Sequence, residues 1–215
     1  MLFIVGSLLF GVGSFPPYSQ LVDGRVVGFT FVVGGLFFTA GGYSAFLEVI
    51  NDNREADTPF RFWAGSPRTK LWWAGFIQLI GTLLFNVNTI DAMITTFTVE
   101  ETNRLVWGPD MFGSLAFLVA SHLFWLNVRG PLGRGETDEA EWWAAMLNYI
   151  GSVFFLVSAI ASFTLETTGE TLNIALVNSG TFLGAVCFLA GSYLGLPTPT
   201  PDDRSGAAGG PPHAD

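Results

Sequence analysis

Charged residues are scarce in this sequence, since only 13% of its 215 residues are Asp, Glu, Lys or Arg. Soluble domains carry about 25% charged residues, so the composition argues against a soluble globular domain. Nine basic residues face eighteen acidic ones, which gives a formal net charge of −9. A nucleic-acid-binding protein needs a basic surface, and we therefore expect no nucleic-acid partner.

Residues that carry metal or redox chemistry are also few. The single cysteine, Cys187, cannot form an internal disulfide. The two histidines, His122 and His213, do not provide a bis-histidine haem site within one chain. The motifs of nucleotide-binding proteins, zinc proteases and dithiol redox proteins are missing. We predict a protein that is not an enzyme, with no catalytic residues, no cofactor and no metal site.

Apolar and glycine residues are abundant instead, with 50% hydrophobic residues and 26 glycines. About 20 apolar residues cross the hydrocarbon of a bilayer, and six runs approach or exceed that length. The first run is short enough for a signal peptide, but no Lys or Arg precedes it and no clear cleavage site follows. The predicted spans are Met1 to Phe15, about Val26 to Leu47, about Leu71 to Thr95, about Asp110 to Val128, about Trp142 to Phe163, and about Asn173 to Leu194.

The sequence thus predicts an all-α membrane protein with one six-helix domain over residues 1–196. The Pro/Gly-rich stretch 197–215 is predicted to be a disordered cytoplasmic tail. Basic residues in short loops mark the cytoplasmic side, and seven of the nine lie on one side. Both termini of this multi-pass chain are therefore predicted to be cytoplasmic, in the cell membrane. The seven are Arg54, Arg61, Arg68, Lys70, Arg129, Arg134 and Arg204, against Arg25 and Arg104.

An internal repeat relates the predicted spans. The odd-numbered spans align without gaps as FIVGSLLFGV from Phe3, QLIGTLLFNV from Gln78 and NYIGSVFFLV from Asn148. The even-numbered spans align through a shared G-x-x-x-F pattern. The chain is therefore predicted to hold three like-oriented helical hairpins, about 1–50, 71–129 and 141–196. Small residues in membrane helices allow close packing. The six aligned glycines predicted at helix contacts are Gly6, Gly34, Gly81, Gly113, Gly151 and Gly184.

The paired pattern resembles the YrhK-like domain of small bacterial membrane proteins. This paired pattern consists of [IV]-G-[ST]-x-x-F in one helix and G-x-x-x-F in the helix that closes the hairpin. The resemblance covers roughly residues 1–196 and is best over Phe3 to Asn51. It implies a bacterial integral membrane protein and brings no catalytic residues with it.

Polar side chains inside the spans are the candidate functional residues, because burying them in hydrocarbon is costly. Gln78 and Asn148 share one repeat position, and Tyr43, His122 and Tyr193 share another. Both sets lie about 9–10 Å from the predicted cytoplasmic interface at 1.5 Å per residue. Around a pseudo-threefold axis they would form an inner-leaflet polar layer. Two interpretations stay open: hydrogen bonds that pin helices together, or a solute or proton site centred on His122.

Two functions follow from these interpretations. The first is a structural membrane protein, or a subunit for membrane partners, with the lipid bilayer around it and a membrane-protein partner or a second copy beside it. The alternative is a small-solute or ion carrier or channel that uses the inner polar layer. A dry, glycine-packed centre favours the first function, and a polar layer on a water-accessible cavity favours the second.

Overall fold

The computed structural model describes residues 1–52, 54–55, 57–63, 69–129 and 139–196. The tail predicted at 197–215 lies outside the described residues, as do Arg68 and Arg134. The described chain is helical, with short connections and one antiparallel bridge between Thr164 and Thr171. The helices are α1 (Leu2–Ser14), α2 (Pro16–Leu21), α3 (Gly24–Asn51), α4 (Lys70–Asp91), α5 (Val99–Thr102), α6 (Gly108–Arg129), α7 (Glu139–Ala161) and α8 (Ile174–Leu194).

Local sequence signals explain where the helices begin and end. Phe15 is extended because the following proline disfavours helical backbone, which ends α1. The same proline opens α2, where its missing N–H costs no hydrogen bond. Side-chain oxygens cap three of the long helices: that of Asp23 accepts from the Arg25 amide, that of Thr69 from Trp72, and that of Asn173 from Leu176.

The fourth long helix, α6, begins at Gly108, close to the predicted start at about Asp110, but a further helical stretch leads into it. Thr98 and Glu101 form a capping box that starts α5, and a π-helical turn over Asn103–Trp107 joins it to α6. A helical path therefore runs from Val99, eleven residues before the predicted start at Asp110. The capping residues are polar, so a search for apolar runs passes over them.

Five helical segments are long and apolar enough to span a membrane. They are Gly24–Asn51, Lys70–Asp91, Val99–Val128, Glu139–Ala161 and Ile174–Leu194. The remaining apolar helix, α1, has 13 residues and is about 20 Å long at 1.5 Å per residue. That length falls short of the roughly 30 Å hydrocarbon core.

The six apolar helices form a closed ring. Going round it, α1 packs on α3, α3 on α4, α4 on α6, α6 on α7, α7 on α8, and α8 returns to α1. Neighbours run antiparallel, so the chain passes repeatedly between two ends of the bundle. We call the end with Met1, Asn51 and Lys70 the near end, and the end with Ser14, Gly24 and Asp91 the far end.

Six phenylalanines fill the centre of this ring, one from each helix. Phe10, Phe85 and Phe155 form one triangle, with ring centroids 6.0–6.3 Å apart. Phe38, Phe117 and Phe188 form a second triangle, with centroids 5.5–6.2 Å apart. All six are at most 6% exposed. The middle of the bundle is therefore closed by two layers of aromatic rings.

Candidate functional site

The aligned glycines lie at close contacts between paired helices. A Cβ atom on Gly81 would lie 2.7 Å from Phe117 Cδ2, and one on Gly151 would lie 2.7 Å from Phe188 Cδ2. In the first pair of helices, a Cβ on Gly6 would lie 3.0 Å from Phe38 Cδ2. The reverse contacts exist as well, since Gly34, Gly113 and Gly184 face Phe10, Phe85 and Phe155. Each helix of a pair thus uses one glycine to receive the core phenylalanine of its partner.

Small hydroxyl side chains beside these glycines are fully enclosed. Ser152 is 0% exposed and accepts a hydrogen bond from Ser121 at 3.0 Å, which links α7 to α6. Ser152 Oγ itself donates toward the Asn148 carbonyl oxygen at 2.8 Å. Thr82 occupies the matching position on α4 and donates to the Leu79 carbonyl oxygen at 2.7 Å. Ser152 and Thr82 thus each donate within their own helix. At the matching position of α1, Ser7 Oγ is buried without a hydrogen-bond partner in the described part of the chain.

The five residues of the predicted inner polar layer lie at the near end, but hydrogen bonds do not join them. Tyr43 donates its hydroxyl hydrogen to the Phe62 carbonyl oxygen at 2.9 Å. Tyr193 is 68% exposed, and Gln78 is half-buried. Among the residues that the structure describes, no hydrogen bond connects any two of Gln78, Asn148, Tyr43, His122 and Tyr193.

His122 and Asn148 have distinct surroundings. His122 is exposed, and its ring lies 5.5 Å from that of Tyr149 and 6.0 Å from that of Trp125, measured between centroids. Asn148 Oδ1 is buried against Gly191 without a hydrogen-bond donor in the described part of the chain. A Cβ on Gly191 would lie 2.8 Å from that oxygen. His122 therefore sits in an aromatic group at the bundle surface, whereas Asn148 is fixed between α7 and α8.

A cavity of about 230 Å³, with a mainly apolar lining that also includes several polar side chains, lies in the opposite half of the bundle, toward the far end. Its floor includes the triangle of Phe10, Phe85 and Phe155. All six apolar helices of the ring contribute residues to its lining. The polar members of its lining are Asn88, Thr89, Thr102, Asp110, Ser158, Ser162 and Thr181. Phe31 and Trp107 add aromatic surface to the same walls.

Asp110 is the only acidic residue among those that line this cavity in the described structure. It is half-buried, and Ser162 Oγ donates toward its Oδ2 at 3.1 Å. The Ser162 hydroxyl also lies 2.9 Å from the Ala159 carbonyl oxygen, so its one hydrogen is shared between two acceptors. No basic side chain of the described chain forms an ion pair with Asp110.

Hydrogen bonds from neighbouring residues fix the walls around Asp110. Trp107 Nε1 donates to the Ala159 carbonyl oxygen at 2.9 Å, which joins the π-helical turn to α7. Asn103 makes two bonds with the main chain of Thr164, donating to its carbonyl oxygen at 2.8 Å and accepting from its amide at 2.9 Å. The cavity is therefore held by side-chain-to-backbone bonds between different segments.

Sequence reasoning did not single out Asp110, which stood at the predicted edge of a span. Its repeat position was nevertheless informative, because it stands three residues before Gly113. The same offset gives Phe31 before Gly34 and Thr181 before Gly184. All three residues line the cavity. A carboxylate at a position that is aromatic or hydroxylic in the other aligned segments is the signal that could have found this site.

A larger groove of about 540 Å³ lies between α1, α2 and α8. Its walls are almost wholly apolar, with Ser7 and Tyr18 as the polar lining residues.

Among the described residues, no three His, Cys, Asp or Glu side chains are grouped so as to hold a metal ion. No protein-family model, curated protein or solved structure matches this chain. The described part of the chain is an all-α fold whose long apolar helices are compatible with an integral membrane protein.

Proposed function

We propose that the chain is a non-enzymatic, six-span integral membrane protein with a closed centre, acting as a structural protein or as a subunit for membrane partners. The observation that carries this proposal is the pair of phenylalanine triangles. Six rings at most 6% exposed occupy the axis along which a permeant solute would have to pass. A dry apolar centre is what a scaffold or subunit needs and what an open channel lacks.

The three-hairpin architecture is part of the proposal. Its support is that the same contact recurs in three helix pairs: a core phenylalanine of one helix packs on the aligned glycine of the other. The pairs are α1 with α3, α4 with α6, and α7 with α8. In this arrangement α1 crosses as a short sixth span, with the near end and both termini in the cytoplasm of a bacterial cell. The resemblance to YrhK-like domains belongs here too, because its glycine and phenylalanine positions are those that make these contacts.

The exposed surface supports residence among lipids. Large apolar side chains outside the core, such as Phe29, Leu83 and Ile160, are 45–61% exposed on three different helices. In water such surfaces would cause association, whereas lipid tails cover them without cost. The same surface is available for a membrane-protein partner or a second copy of the chain.

A carrier role is the second candidate, and one observation favours it. The far-end cavity contains a carboxylate and several hydroxyls beside the closed centre, as a solute site in a carrier would. Such a carrier would use the far-end cavity as its solute site, rather than the inner layer around His122.

Flux measurements separate the two candidates. The full chain is reconstituted into liposomes, and cation and proton fluxes under an imposed potential are compared with those of protein-free liposomes. The closed-centre proposal predicts equal fluxes at every protein-to-lipid ratio. Flux that rises in proportion to the amount of inserted protein would refute it and favour the carrier or channel.

A further inference from the structure

We infer that the far-end cavity is a binding site for a small organic ammonium ion, recognised by the carboxylate of Asp110. This assignment goes beyond the proposed function, because a closed bundle can bind a solute from one side without moving it across. It rests on the charge, the walls and the size of the cavity.

The charge of the cavity is unbalanced. Asp110 lines it, and none of the described lining residues is Lys, Arg or His. A carboxylate offers about four acceptor positions, and the Ser162 hydroxyl, shared with the Ala159 carbonyl oxygen, supplies at most one hydrogen. An ionisable group within a membrane helix commonly marks a functional site, and a cation in the cavity would compensate this one.

Aromatic walls select the kind of cation. Phe31 and Trp107 line the cavity together with Asp110, and an aromatic ring attracts an organic ammonium group that reaches its face. Much of the hydroxyl hydrogen-bonding capacity is already used. Ser158 lies 2.9 Å from the Val177 carbonyl oxygen and 2.8 Å from Thr181 Oγ1. A hard divalent ion prefers six or more oxygen ligands, commonly with several carboxylates, and this site has one carboxylate.

The size of the cavity limits the ligand. A volume of about 230 Å³ corresponds to that of roughly eight water molecules at about 30 Å³ each. Drug-sized ligands occupy pockets of about 300–1,000 Å³, so a smaller ligand is expected here. Tetramethylammonium and choline, with five and seven non-hydrogen atoms, fall within this limit.

The experiment is calorimetric titration of the full chain in nanodiscs with tetramethylammonium, choline and Na⁺. We expect saturable binding of both ammonium ions in the millimolar range or below. Asp110→Asn should weaken it by on the order of 10-fold or more, since bonds to a charged group are strong. The matched control is Asp91→Asn, because Asp91 also lies at the far end but outside the cavity lining. It should bind as the wild type does.

A second measurement needs no variant. The neutral isostere of choline, 3,3-dimethylbutan-1-ol, has the same shape without the charge, and it should bind at least about 10-fold more weakly to the wild-type protein. Equal binding of the isostere, no saturable binding of either ammonium ion, or saturation by Na⁺ alone would each overturn the assignment. Transport of choline across the bilayer would contradict the closed centre and leave this binding site standing.

Discussion

Replacing Gly151 by alanine tests the close helix packing with the smallest possible change. The added Cβ atom would lie 2.7 Å from Phe188 Cδ2 and 3.0 Å from the Gly184 carbonyl oxygen. Carbon atoms at rest approach to about 3.5–4.0 Å, so the ring or the helix must move. The third contact is Cys187 Cβ, also at 3.0 Å. Since one of the three contacts is with the backbone of α8, rotating a side chain does not relieve them all.

The cost follows from how firmly Phe188 is held. Its ring is 2% exposed, and its centroid lies 5.4 Å from that of Phe155 and 5.5 Å from that of Phe117. Overpacking a filled core costs about 1–3 kcal/mol. Alanine recovers up to about 1 kcal/mol through its better helix propensity. We expect a net loss of about 1–2 kcal/mol of unfolding free energy.

Gly11→Ala is the matched control. Gly11 also lies within an apolar helix, but the nearest atom to an added Cβ is Ala185 Cβ at 3.8 Å, an ordinary contact. Only the better helix propensity of alanine remains, so the unfolding free energy of this variant should rise by about 0.5–1 kcal/mol. The two glycines thus respond to one substitution with opposite signs.

Titration with SDS in mixed micelles, followed by circular dichroism, measures both variants against the wild type. A Gly151→Ala protein as stable as the wild type would refute the close approach of α7 and α8. Equal destabilisation by Gly11→Ala would show that the loss reflects any added methyl group rather than this contact.

Three further predictions concern other parts of the molecule. Asn103→Ala removes both hydrogen bonds to the main chain of Thr164, so it should lower stability by about 1–3 kcal/mol and speed hydrogen exchange at the Thr164 amide; unchanged exchange would contradict this. His122→Tyr restores the residue type of the aligned positions, and a purely structural role should tolerate it, whereas lost function in a folded protein, assayed in a deletion strain, would indicate a solute or proton role. Arg61→Cys should resist labelling from outside intact cells, and labelling there would reverse the predicted topology.

The architecture left clear traces in the sequence because burial and close packing restrict residue types strongly. The apolar runs identified five helices that can span a membrane, and the recurring glycine and phenylalanine positions identified the central contacts. The predicted start of the fourth long helix at about Asp110 agrees with α6 to within two residues. The helical path that leads into it from the polar capping box at Thr98 and Glu101 was not predicted. Because α1 has only thirteen residues, its role as a sixth span belongs to the proposal.

The sites were harder to predict, because depth along a helix does not fix the direction in which a side chain points. Tyr43 and Tyr193 share a repeat position, yet one donates to a backbone carbonyl and the other is 68% exposed. Asp110 was missed for the opposite reason. In the sequence it is one acidic residue near a predicted span edge, and its place in a cavity becomes visible only when the six helices are packed around it. Helix rotation and the π-helical turn before α6 decide such placements, and neither is readable from spacing alone.

The closed centre is tested most directly by comparing two cysteines on the same segment, in a Cys187→Ser background. Ser152 is 0% exposed beside the phenylalanine layers, and Ser162 lines the far-end cavity. Serine-to-cysteine replacement changes the side chain little at either position. With a small water-soluble thiol reagent on the folded protein, Ser162→Cys should react, and Ser152→Cys should react only after unfolding in SDS. Equal reactivity of both in the folded protein would show that water reaches the centre, and would contradict the account.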